Sequence, residues 1–208
     1  MPLHTNAGAF FTKGDGMELY NSIIEKIDGM LGSTQPKRYS YDPGKCWEDV
    51  GGNQLIMMKE SAYELGGDGK AVWKKYGPTL KGILESYLPG RRAEVAMQPN
   101  GLLWAQMEGW ALSWMNAYID GRPVTERAGY QVETNSFWYH SISITLDMEK
   151  RYGGGKDKEF IEKWTGIRNL VKENFQPVFW NPRAGYLADY VDNSGQHMEV
   201  RPNMLYAL

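Results

Sequence analysis

From Met17 to Leu31 the apolar residues Leu19, Ile23, Ile27 and Leu31 recur at every fourth position, while Glu18, Glu25, Lys26 and Asp28 occupy the remainder. That spacing predicts an amphipathic helix, opened by Asp15-Gly16. A second stripe, Leu55, Ile56, Met58, Ala62 and Leu65, runs over Gly51 to Leu65 and stops at Gly66-Gly67-Asp68-Gly69. A third follows at once between Lys70 and Leu88, carrying Val72, Trp73, Tyr76, Leu80, Ile83, Leu84 and Tyr87. Gly77-Pro78 is expected to kink that helix or delay its start, because proline lacks the helical N–H donor. The second and third segments, joined by a short glycine turn, form an expected αα-hairpin.

The pattern returns after a long irregular stretch. Val132 to Tyr152 places Phe137, Trp138, Ile142, Thr145 and Met148 on one side and is broken by Gly153-Gly154-Gly155; Asp157 to Phe175 does the same with Phe160, Trp164, Ile167 and Val171. Short glycine turns on one side and long aromatic loops on the other predict an all-α chain of helical hairpins, arranged as in an (α/α) toroid with its functional loops at one end. A bundle and a helical solenoid are the competing all-α arrangements, and the absence of a fixed repeat weighs against the solenoid.

Composition narrows the chemistry. At 208 residues with 42% hydrophobic content, the chain can form one domain or part of a larger one. Net charge is −2 and the basic residues are interspersed with acidic ones, so nucleic acid is not an expected partner. Cys46 stands alone, which excludes an internal disulfide and points to the reducing cytoplasm. Neither a leader segment nor a long apolar run is apparent, so no membrane attachment is expected. The aromatic fraction, 13% with 8 Trp and 13 Tyr, suits a cleft for a ligand with both greasy and polar faces, such as a sugar, although helical cores use the same residues.

Some motifs carry no chemistry. Gly67-Asp68-Gly69-Lys70 and Gly153-Gly154-Gly155-Lys156 lack the full phosphate-loop pattern and a preceding strand, and are expected to be turns. His4, His140 and His197 have no paired metal-ligand spacing, and no nucleophile elbow is present. Neither a metal nor an organic cofactor is expected.

The irregular stretch is the informative one. It contains GLLWA at 101–105, SWMNA at 113–117 and GRPVTERAGYQVETNSFWYH at 121–140. A long loop rich in Trp and Arg is more often a binding surface than a spacer. These strings resemble, in order and spacing, the amylo-α-1,6-glucosidase domain of glycogen debranching enzymes, which reads GLL-x-A, TWMDA and G-x-PVTPR-x-G-x-x-VEINALWYN. YGPTLKGILESYL, VFWNPRAGYLADYVD and RPNMLYAL extend the resemblance, which covers about Trp47 to Leu208. It implies that residues 1–208 are a single unit of a larger (α/α)6 glycosidase domain that removes α-1,6-linked glucose from branch points of α-glucans in glycogen breakdown. It also implies two carboxyl groups working by inversion, roughly 6.5 to 9.5 Å apart.

The family's general acid is the Asp of its Trp-Met-Asp string, and Asn116 stands at that position here. An amide cannot donate the proton, so either Asn116 marks a weakened or non-catalytic member or a neighbouring Glu108, Asp120, Glu126 or Glu133 serves. The base would lie in sequence beyond Leu208. Catalytic candidates are therefore Asn116 and Glu133, the latter also favoured at a helix start by the backbone dipole. Substrate-binding candidates are Trp114 for stacking, Arg127, Asn135, and Arg201 and Asn203 of the Arg-Pro-Asn string; Arg127 would either hold a hydroxyl or brace the loop against Glu126 or Glu133. A non-catalytic α-glucan-binding module and a helical interaction scaffold are the alternatives.

Overall fold

The computed structural model describes residues 69–207 apart from Trp114 and Asn116. The expected helices at 17–31 and 51–65, and with them the first arm of the expected hairpin, lie outside the described residues. Helix α1 spans Gly69–Ser86, α2 Val132–Tyr152 and α3 Lys158–Phe179. The stripes expected from the sequence are the buried ones: Tyr76, Leu80 and Leu84 in α1, Trp138 and Ile142 in α2, Trp164 and Val171 in α3.

Pro78 lies inside α1 without ending it. The residue before a proline is normally pushed out of helical geometry by a clash at its Cβ, and Gly77 has none. A Cβ there would also come within 2.9 Å of the Trp73 indole, so glycine serves both the backbone and the packing. Asp157, expected as the first residue of α3, instead caps it: its Oδ1 accepts a hydrogen bond from the Phe160 N–H at 3.1 Å.

The all-α toroid expectation does not hold: 49% of the described residues are helical and 17% lie in strands. The irregular stretch between α1 and α2 and the segment after α3 together contain nine short strands. They are β1 Val95–Met97, β2 Leu103–Ala105, β3 Tyr118–Ile119, β4 Arg122–Pro123, β5 Tyr130–Gln131, β6 Trp180–Asn181, β7 Tyr186–Leu187, β8 Tyr190–Asp192 and β9 Gly195–His197. All pair antiparallel, as β1-β2, β3-β4, β6-β7 and a three-stranded β5-β8-β9 sheet. Strands of two or three residues are too short to show an alternating pattern, which is why periodicity passed over them. One signal was present nonetheless. Asp120-Gly121, both at positive φ (50° and 74°), forms the two-residue turn between β3 and β4 that Asp-Gly favours.

The described residues fall into two compact units, 69–85 with 140–165 and 86–139 with 166–207, the division passing through α2 and α3. The first is helical throughout its elements. There Lys81 reaches Glu149 at 2.9 Å and Asp157 at 2.8 Å, tying α1 to both ends of the turn between α2 and α3. The second unit holds every strand. Gly129 links its sheets: it exchanges both backbone hydrogen bonds with Ala105 (2.7 and 3.0 Å), and a Cβ on it would lie 2.2 Å from the Val191 carbonyl oxygen.

Candidate functional site

The second unit buries an ion network where the chain leaves the β3-β4 hairpin and enters α2. Gly129, with φ +111°, lets the segment press against β8, and Arg127 thereby points inward at 2% exposure. Gln131 fixes the entry to the helix, donating from Nε2 to the Arg127 carbonyl (2.6 Å) and accepting at Oε1 from Thr134 Oγ1 (2.8 Å). Glu133 then falls in the first turn of α2, where the helix dipole favours a carboxylate.

Arg127 uses its planar fork on two carboxylates. Nη1 and Nη2 donate to the two oxygens of Glu133, the latter at 2.7 Å. Nε donates to Asp189 Oδ2 at 2.9 Å, and Nη2 to Asp189 Oδ1 at 3.0 Å and to the Asp189 carbonyl at 2.9 Å. Arg201 Nη1 also donates to Asp189 Oδ2, and lies 3.9 Å from Glu199. Glu133 and Asp189 are fully buried. Burial alone would lower the affinity of Arg127 for its proton, but the hydrogen bonds and charge of Glu133, with those of Asp189, raise it instead. Such a pairing is the condition for keeping charges out of water, because each unpaired ion would cost several kcal/mol, on the order of the desolvation penalty for a buried ion.

Aromatic and polar groups surround this network. The Arg127 guanidinium sits 5.8 Å from the Tyr190 ring centroid, and Tyr190 stacks on His197 at 4.0 Å with planes 7° apart. In the β8-β9 turn, the Asp192 carboxyl is pulled down to about 2 by the Ser194 hydroxyl, helped by His197 against slight desolvation. After β9, a short 3-10 helix covers Pro202–Ala207. Its Tyr206 packs on Phe137 at 4.8 Å, and burial followed by the nearby charge of Glu133 raises the phenol's pKa. Asn203 is fully buried; its Nδ2 donates to Met115 Sδ at 3.5 Å, and its Oδ1 has no hydrogen-bond partner among the described residues.

Of the seven candidates read from the sequence, Arg127, Glu133 and Arg201 therefore belong to one network. Asn203 lies a few residues along the chain from Arg201, beside Met115. Asn135 is engaged elsewhere: Oδ1 accepts from Leu103 N–H at 2.7 Å, and Nδ2 donates to the carbonyls of Leu103 (3.1 Å) and Gln131 (3.0 Å). Trp114 and Asn116 lie outside the described residues. Asp189 was missed, although it sits within the GYLADYVD string that carries part of the resemblance. A buried Asp next to apolar Ala188 reveals nothing by periodicity; the signal would have been two arginines upstream and downstream in need of an acid.

No group of three or more His, Cys, Asp or Glu among the described residues is placed to hold a metal ion. No described helix is long and apolar enough to cross a membrane.

Comparison with known proteins bears on this geometry. The sequence model of the amylo-alpha-1,6-glucosidase family matches residues 53–208, a span that includes every member of the network. A cysteine–tRNA ligase of Geotalea uraniireducens (strain Rf4) is 26% identical over 148 residues, 68% of this chain and 28% of that protein. Among solved structures, a GH78 family rhamnosidase of Bacillus sp. GL1 matches with a TM-score of 0.51 at 18% identity, over 72% of this chain and 14% of the rhamnosidase. The chain thus spans under a third of either relative's length, and the second likeness is one of fold.

Proposed function

We propose, for a chain that belongs to the amylo-α-1,6-glucosidase family over residues 53–208, a role in hydrolysing α-1,6-linked glucose at branch points of α-glucans. The observation that carries this reading is that family match, extending across the whole Arg127–Glu133–Asp189–Arg201 network. The similarity to a tRNA ligase does not redirect it, since a net charge of −2 with interspersed signs offers no track for a phosphate backbone.

The geometry supports a division of labour. Both oxygens of Glu133 lie in the Arg127 fork and away from solvent, so Glu133 braces the segment between β4 and α2 rather than moving a proton. The exposed carboxylates Glu108, Asp120 and Glu126 flank the SWMNA string and are the candidates to protonate a leaving oxygen in place of an acid at position 116. Trp114 supplies a face for sugar C–H groups. Hydrolysis by inversion uses one carboxylic acid and one carboxylate on opposite faces of the sugar, so an α-linked glucose is released as the β-anomer.

The test is glucose release from an α-limit dextrin, followed by proton NMR to identify the first anomer formed. β-Glucose is expected, with loss in Glu108→Gln, Asp120→Asn or Glu126→Gln. A protein that binds the dextrin but frees no glucose would instead be a glucan-binding module, the reading favoured by Asn116 at the family's acid position. Asn116→Asp separates the two further, because restored release in that variant identifies a lost proton donor.

A further inference from the structure

Asp189 joins two guanidinium groups that otherwise have no common partner among the described residues. Its Oδ2 accepts from Arg127 Nε and from Arg201 Nη1, and its Oδ1 from Arg127 Nη2. Its backbone is occupied as well: the carbonyl accepts from Val132 N–H at 3.1 Å and the N–H donates to the His197 carbonyl at 2.8 Å. Arg127 is already neutralised by its fork on Glu133, so the Asp189 charge is balanced by Arg201. Burying a second carboxylate is costly. An apolar or amide side chain would fill the same space at lower cost if packing were the whole requirement, which directs attention to what the extra charge holds.

It holds Arg201. Whereas the side chains of Arg127, Glu133 and Asp189 are shut from solvent, that of Arg201 is 23% exposed. Its Nη1 is engaged, and among the described residues its Nε and Nη2 have no hydrogen-bond acceptor. A guanidinium pinned at one nitrogen presents its remaining donors in a fixed plane, a preorganised edge for two adjacent acceptors. The charge around that edge selects the acceptor. The two guanidinium groups are outnumbered by the carboxylates of Glu133, Asp189 and Glu199, leaving a net −1 that does not draw an anion.

We propose that Asp189 is a positioning residue that holds Arg201 with its Nε and Nη2 donors free for vicinal hydroxyls of a neutral saccharide, and that the surrounding carboxylates discriminate against phosphorylated or carboxylated ones. The ligand class rests on the glucan reading above; the hold of Asp189 on Arg201 does not.

The experiment compares the full chain with Asp189→Asn, Arg201→Gln and the double variant. Calorimetric titration with an α-limit dextrin, and with the same dextrin carboxymethylated, reports affinity; the Arg Nη–H resonances report guanidinium immobilisation. In Arg201→Gln, dextrin affinity is expected to fall roughly tenfold, the loss of one charge-assisted contact, read well below a thermal midpoint that falls because the Asp189 charge loses its balance. In Asp189→Asn the Arg201 Nη–H signals should broaden while those of Arg127, still forked on Glu133, persist. The double variant should bind no more weakly than either single one.

Additive losses in the double variant, a sharp Arg201 signal in Asp189→Asn, or unimpaired dextrin binding by Arg201→Gln would each overturn the proposal. Equal or tighter binding of the carboxymethyl dextrin would overturn its selectivity. If Asp189→Asn does not fold, Arg201→Gln alone decides the binding claim. If the unaltered chain binds no dextrin, the glucan reading fails, while the resonance test still decides whether Asp189 pins Arg201.

Discussion

Arg127 is the residue on which the second unit's buried charges depend, since removing it strands Glu133 and leaves Asp189 with Arg201 alone. Arg127→Ala should cost about 3–5 kcal/mol, the range for breaking a buried pair by deleting one partner. Arg127→Lys should recover little, because an ammonium cannot serve two carboxylates in one plane. Urea unfolding midpoints measure both. Tyr87 offers the opposite case. Its hydroxyl is buried without a hydrogen-bond partner among the described residues, and burial pushes its pKa well up, while the ring packs on Trp138 at 5.3 Å. Tyr87→Phe keeps the ring contact and removes an unsatisfied polar group, so the same measurement should show stability unchanged or improved by about 1 kcal/mol.

At the scale of elements, the strands are too short to be stable as isolated hairpins, and they persist through what their ends are tied to. Asn135, on α2, imitates a strand neighbour by giving and taking a hydrogen bond at Leu103. Gly129 does the same by backbone at Ala105 and leaves room for Val191. Gly129→Ala should therefore unzip β5 from β8 and cost about 3 kcal/mol or more, a steric clash added to strain at positive φ. Gly185→Ala is the control: φ is +78° but nothing lies within 4 Å, so about 1 kcal/mol of strain is expected. Hydrogen exchange of the β5 and β8 amides distinguishes local opening from global loss.

At the scale of the whole molecule, two carboxyl groups among the described residues are held below their usual range. Asp157 is held below 3.8 chiefly by Lys81, and Asp192 at about 2 chiefly by Ser194. A carboxyl whose folded pKa is depressed stabilises the fold above its unfolded value and loses that contribution as pH falls through the folded one. Desolvation also lowers the proton affinity of His140 from its ordinary 6.5, so stability should begin to fall gently below that pH and decline further from about pH 4 toward pH 2. Lys81 is shifted the other way: burial opposes its charge, but Asp157 and Glu149 outweigh burial and raise its pKa above 10.5, so its contribution is lost only at higher pH. Thermal midpoints measured across this range should show a shallow acid decline that high salt flattens, because these groups are largely solvated.

The amino-acid sequence determined where the three described helices lie and which side of each is buried, because a repeat of three or four apolar positions sustained over five turns has one physical solution. α2 runs over Val132–Tyr152, the span its periodicity marked out. The sequence also carried the family, through strings that remain recognisable whatever they fold into. The tertiary structure decided the rest. Strands of two or three residues leave no period, and β5 forms because β8, from beyond α3, lies alongside it. Asp189, 62 residues from Arg127, became its partner by the same route. A buried ion pair is a property of two places brought together, and one position in a chain cannot announce it.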